Sequence, residues 1–216
     1  MPRPLSFPWL NSQELRRQAD EFLSLHYPSL NIPIPIELIV ERAGIDIVPV
    51  PGLRDRFEVD AVTNVGGHTI WVDRWLSEER ENRYRFTLAH EMGHIQLHSP
   101  VFRNLLRSNA SFERCADVLL NLPHDVLIRI EYQAKAFAGL VLVPRGALAE
   151  RLEGAMPFAR GLYRRAIKAG MRPDSAAPPA WEGLCETISA SFSVSSEVIR
   201  RRLEFEGRSL EELGRE

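Results

Sequence analysis

Arg85-Phe86-Thr87-Leu88-Ala89-His90-Glu91-Met92-Gly93-His94-Ile95-Gln96-Leu97-His98 is the stretch from which the rest of the chain is read. It contains His-Glu-x-x-His. On a helix, residues i and i+4 lie about 40° apart on one face, so His90 and His94 present two imidazoles to one ion. Glu91 lies about 100° round from His90, beside that pair, where it can work on a metal-bound water without being a ligand. Six His and 21 Glu in 216 residues give about 0.016 chance occurrences of this spacing, so the motif is signal. Phe86, Ala89, Gly93 and Leu97 flank the histidines, and Leu88, Met92 and Ile95 occupy the far side. A helix apolar on both sides is a buried one. Gly93 costs about 1 kcal/mol against Ala in a helix interior, which points to something packing closely there.

Two histidines do not complete a catalytic zinc site, which takes three protein ligands and one open position. A third histidine six residues after His94 is absent, since position 100 is Pro and position 97 is Leu. His98 reads as a helix-end histidine, because a third ligand from the same helix strains a tetrahedral site. A carboxylate from a second helix remains, with Glu113 and Glu131 as candidates. Glu131 sits at the edge of a stripe formed by Ile130, Ala134, Phe137, Ala138 and Val141, whose alanines let helices approach closely. Glu113 lies among Arg114 and Asp117, which suits a solvated surface, so Glu131 is preferred.

Outward from this segment, helices are expected at 12–27 (capped by Ser12), 36–43, 78–98 and 129–142, with a basic helix at 157–171. Strands are expected at 45–50, 57–63 and 68–73, the last two turning at Gly66-Gly67. Residues 101–128 read as a loop with a helix near 111–120, and 172–181, with its three prolines, as a connector. Two short helices broken around Ser193-Val194-Ser195 are expected across 182–206. The fold class is α+β.

The chain of 216 residues has a formal charge of −2, 44% hydrophobic and 26% charged residues. That balance excludes disorder, collagen and coiled coil. Cys115 and Cys185 are too few for a disulfide framework, which suits a reducing cytosol. Neither a signal peptide nor a membrane span is evident, so a cytoplasmic, soluble protein is expected. The 25 Arg against two Lys raise nucleic-acid binding, but 29 acidic residues cancel any global basic character.

Residues 85–98, followed by Glu131-x-x-Ala134-x-x-Phe137-Ala138-x-x-Val141-Leu142-Val143-Pro144, resemble the ImmA/IrrE family of metallo-endopeptidases. Gly44-Ile45, Ile70-Trp71-Val72 and the closing Phe192-x-Val194-Ser195 with Arg202-Leu203 extend the resemblance over residues 32–205. It implies a zincin-like core with a small mixed sheet, a metal helix paired with a Glu-bearing helix, and a C-terminal helical tail. His90, His94 and Glu131 match the family's ligands for one Zn²⁺, and Glu91 its catalytic glutamate. The implied organisation is an N-terminal extension at 1–31, a peptidase core at 32–172 and a tail at 173–216. The implied partner is a protein substrate, a DNA-binding repressor whose cleavage releases stress or mobile-element genes.

Two departures stand out. The 36 residues between His94 and Glu131 exceed the family's usual spacing, and Lys135 stands where the family commonly has Asn. Lys135 either pairs with Glu131 as support or points to solvent. For the oxyanion, Tyr132 and Tyr163 are chemically suitable. The strand at 68–73 is expected to pair with an extended substrate by β-augmentation. The rival reading is a non-proteolytic regulator or toxin–antitoxin component. Its basis is the basic stretch at 157–173 and the tail's helix-turn-helix likeness, with Arg200, Arg201 and Arg202 for DNA.

Overall fold

The computed structural model describes residues 8–64, 67–105 and 121–214. It is mostly helical with one small mixed sheet, and so α+β as expected. In chain order the described elements are α1 (Ser12–His26), α2 (Ile36–Arg42), β1 (Asp46–Val50), α3 (Leu53–Phe57), β2 (Ala61–Thr63) and β3 (Thr69–Asp73). Then follow α4 (Arg74–Glu79), α5 (Glu81–Leu105), α6 (His124–Leu142), α7 (Arg145–Lys168), α8 (Pro173–Phe192), α9 (Ser196–Phe205) and a 3-10 turn at Leu210–Gly214. The chain divides into two compact units, Met1–Ser29 with Pro35–Val141, and Leu30–Ile34 with Leu142–Glu216.

In the first unit, α1 is capped by Asn11 rather than Ser12. The Asn11 side chain accepts from the Gln13 and Glu14 amides at 2.9 and 3.0 Å, and Glu14 accepts in return from the Asn11 amide at 2.7 Å. Such reciprocal capping satisfies two of the donors a helix start leaves over. Leu15, Ala19, Phe22 and Leu23 form the buried face of α1. Phe22 meets Phe137 of α6 edge-on, with centroids 5.4 Å apart.

The sheet runs β1-β3-β2, with β3 parallel to β1 and antiparallel to β2. Ile70 and Val72 of β3 are fully buried. Because both edges of β3 are paired, the expected substrate pairing at 68–73 is excluded; among the described strands only β1 and β2 keep an outer edge. The expected strand at 57–63 shrinks to three residues, and a short helix, α3, precedes it. The cause is a long-range cap. Asp73 Oδ2 accepts from the Arg54 amide at 2.9 Å, while its Oδ1 accepts from Trp75 N at 3.0 Å and starts α4.

The expected single helix from Glu78 is two, broken at Arg80, and the second, α5, runs past His98 to Leu105. Its Gly93 lies against α6: a Cβ there would sit 3.1 Å from Ala134 Cα, 3.1 Å from Ala134 O and 3.3 Å from Phe137 Cδ1. The close packing suggested by this glycine is thus the α5–α6 crossing. Helix α6 begins at His124, ahead of the expected 129. The helix expected near 111–120, and with it Glu113 and Cys115, lies outside the described residues.

In the second unit, α7 spans 24 residues with Pro157 inside it, where only 157–171 was expected. The expected connector at 172–181 is instead the start of α8. Pro173 occupies its first position, where a missing N–H costs nothing. Pro178 and Pro179 fall in the early turns, and burial of Ala176, Ala177, Ala180 and Trp181 holds the segment helical despite them. Ser193, at φ 51°, breaks α8 from α9 where expected, and the Ser195 side chain accepts from Val198 N at 3.4 Å to start α9. Among the described residues, no helix is long and apolar enough to cross a membrane.

Candidate metal centre

Helix α5 carries His90 and His94 one turn apart, and Gly93 lets α6 approach closely enough for Glu131 to reach both. His90 Nε2 and His94 Nε2 are 3.1 Å apart, and they lie 3.4 and 3.2 Å from the two Glu131 carboxylate oxygens. A tetrahedron with zinc–ligand bonds of 2.0–2.1 Å has edges of about 3.3–3.4 Å. Two imidazoles and a carboxylate therefore converge at spacings close to those edges, each imidazole against a different carboxylate oxygen. They form a His-His-Glu group suited to a metal ion. Burial would raise the Glu131 carboxyl, but the two imidazoles beside it, His90 and His94, outweigh that and hold it well below the usual carboxylate range.

Glu91 stands apart from the trio, buried, with its Oε2 accepting the Thr63 hydroxyl at 2.6 Å. Burial pushes its carboxyl above the ordinary value, against the pull of His94 and of the Thr63 hydrogen bond. A buried carboxyl with a raised pKa is equipped to take up and release a proton. Thr63 comes from β2, across 28 positions of sequence, and no local pattern marks it.

A family model for the peptidase family M78, described as an IrrE N-terminal-like domain, matches residues 40–204. The chain belongs to this family. No curated protein matches the chain.

In this M78 peptidase, His98 is not the helix-end histidine expected. It is wholly buried in mid-helix, because α5 continues beyond it. Its Nδ1 lies 3.1 Å from His94 Nδ1, and its Nε2 lies 2.9 Å from Gln133 Oε1. Burial, then the neighbouring His94, push His98 down to about 4, so it is neutral at ordinary pH. Gln133, also wholly buried, donates through Nε2 to the carbonyl of Pro8 at 3.0 Å. His90 Nδ1, by contrast, is buried with no hydrogen-bond partner among the described residues.

Lys135 Nζ lies 3.5 Å from Glu131 Oε2, which decides between the two roles open to it: it pairs with the carboxylate. Tyr132, next to Glu131, is exposed and stacked on Trp9 with centroids 5.9 Å apart. Tyr163 lies on α7, in the second unit.

The arginine run of α9 is divided between the interior and the surface of the second unit. Arg202 is buried, donating to the Val143 carbonyl and, at 2.9 Å, to Glu206. Arg200 and Arg201 pair with Glu197 on their own helix.

Proposed function

We propose that this M78 peptidase is a zinc-dependent endopeptidase with a zincin-like core, in which His90, His94 and Glu131 hold one Zn²⁺. The supporting observation is the convergence of two imidazole Nε2 atoms and a carboxylate at spacings close to those between zinc ligands. A zinc ion there supplies Lewis acidity and lowers the pKa of a water toward neutrality. Glu91 is the proton carrier: with Oε2 held by Thr63, its Oε1 takes a proton from the attacking water and passes it to the leaving amine. An extended peptide substrate adds to the outer edge of β2, the strand that bears Thr63, by main-chain pairing.

The substrate we propose is a helix-turn-helix repressor in the cytoplasm, cut to release stress or mobile-element genes. Resemblance to ImmA/IrrE supports that part. No DNA-binding role is proposed, because Arg200 and Arg201 are paired and Arg202 is buried. The test is incubation of zinc-loaded protein with the repressor encoded beside it. A single cut, absent with Glu91→Gln, is expected. Purified protein that takes up no zinc, or undiminished cleavage by Glu91→Gln, overturns the reading.

A further inference from the structure

His98 and Gln133 take no part in the proton transfers above, yet both are wholly buried in a line of hydrogen bonds that ends on His94. The direction of that line follows from its far end. A backbone carbonyl only accepts, so the Gln133 atom 3.0 Å from the Pro8 oxygen is the amide nitrogen. The Gln133 oxygen then faces His98 Nε2 at 2.9 Å, and that nitrogen donates. A neutral imidazole that donates at one nitrogen accepts at the other. His98 Nδ1 therefore accepts, and His94 Nδ1, 3.1 Å away, carries the proton. This leaves a lone pair on His94 Nε2, the atom that faces His90 Nε2 and Glu131.

We infer that His98 and Gln133 are positioning residues that hold His94 as its Nδ1–H tautomer, with the carbonyl of Pro8 setting the direction of every hydrogen bond in the line. A metal-ligating histidine is ordinarily fixed by a partner on its other nitrogen, and losing such partners typically costs 10–100-fold in metal affinity. Here the partner is itself a histidine, whose tautomer is set two bonds further away. His90 and His94 differ in this respect, since His90 Nδ1 has no such partner among the described residues. The inference rests on the proposed metal site for its purpose, but the tautomer exists without metal.

The test is long-range ¹H–¹⁵N correlation on the full, metal-free chain labelled at histidine, with His94 and His98 assigned by substitution. His94 as a single Nδ1–H form and His98 as a single Nε2–H form are expected. Gln133→Leu turns His94 into a tautomer mixture and lowers zinc affinity 10–100-fold, read by competition with a chromophoric chelator. An Nε2–H or mixed His94 in the unsubstituted protein overturns the inference even if a variant fails to fold. So does a folded Gln133→Leu with unchanged tautomer and affinity. A protein with His94 as Nδ1–H that binds no zinc sinks the proposed function and leaves the line standing; zinc binding with His94 in the other tautomer does the reverse.

Discussion

Thr63 donates its hydroxyl proton to Glu91 across 2.6 Å, joining the edge strand β2 to the helix that carries both histidines. A hydrogen bond to a charged group contributes about 1.5–3 kcal/mol. Thr63→Val keeps the branched shape and removes the donor. Cleavage should fall roughly 10–100-fold by that measure, while bound zinc, measured by atomic absorption, stays at one ion. A Thr63→Val enzyme of full activity would show that Glu91 is oriented by something else.

Glu91→Gln removes the proposed proton carrier and leaves His90, His94 and Glu131 alone. Turnover should drop by about 10²–10⁴, the usual contribution of a general acid–base residue. Zinc content should match the unsubstituted protein, and loss of zinc instead would move Glu91 into the ligand set.

Gly93→Ala sets two effects against each other. Helix propensity favours alanine by about 1 kcal/mol. The new methyl, however, would meet Ala134 Cα and O at 3.1 Å, and overpacking of this kind costs about 1–3 kcal/mol. Backbone cannot swing aside as a side chain can, so the clash prevails. A lower melting temperature with weakened zinc affinity is expected, since α6 must move and takes Glu131 with it. A more stable variant with unchanged affinity would refute this.

Arg202 lies buried with one face on the Val143 carbonyl and another on Glu206. Arg202→Met keeps much of the volume and leaves those acceptors without their donor. Urea unfolding should show a loss of about 2–4 kcal/mol. A change within about 0.5 kcal/mol, the size expected of an ordinary surface position, would contradict the buried role.

Burial pushes the Cys185 thiol up to about 12. In a Cys115→Ser background, Cys185 should stay unreactive toward a thiol-exchange reagent at pH 8 until denaturant is added. Prompt labelling of the native protein would be evidence against that burial.

The pairing of His90 with His94 was legible because their spacing is local: four residues on one helix define one face. The approach of Glu131 to that pair was legible from the small residues around it, and the close crossing at Gly93 from its cost. What sequence did not disclose was set by distant partners. Thr63 has no pattern of its own, and His98 takes its meaning from Gln133 35 positions on. Helix α3 depends on Asp73, and the prolines of α8 are outweighed by the burial around them. The arginine run shows a related limit, since sequence displays charge but not the side of the helix on which it ends.

The match to the M78 family begins at residue 40, whereas the hydrogen bonds reaching His94 begin at Pro8. A fragment cut at the family boundary would keep His90, Glu91, His94 and Glu131. It would discard the oxygen against which Gln133 is oriented, and the Trp9 ring that lies on Tyr132. The shortest piece that carries the chemical groups is therefore shorter than the shortest piece that carries their setting, and trimming the chain ahead of α1 is an edit to the centre itself.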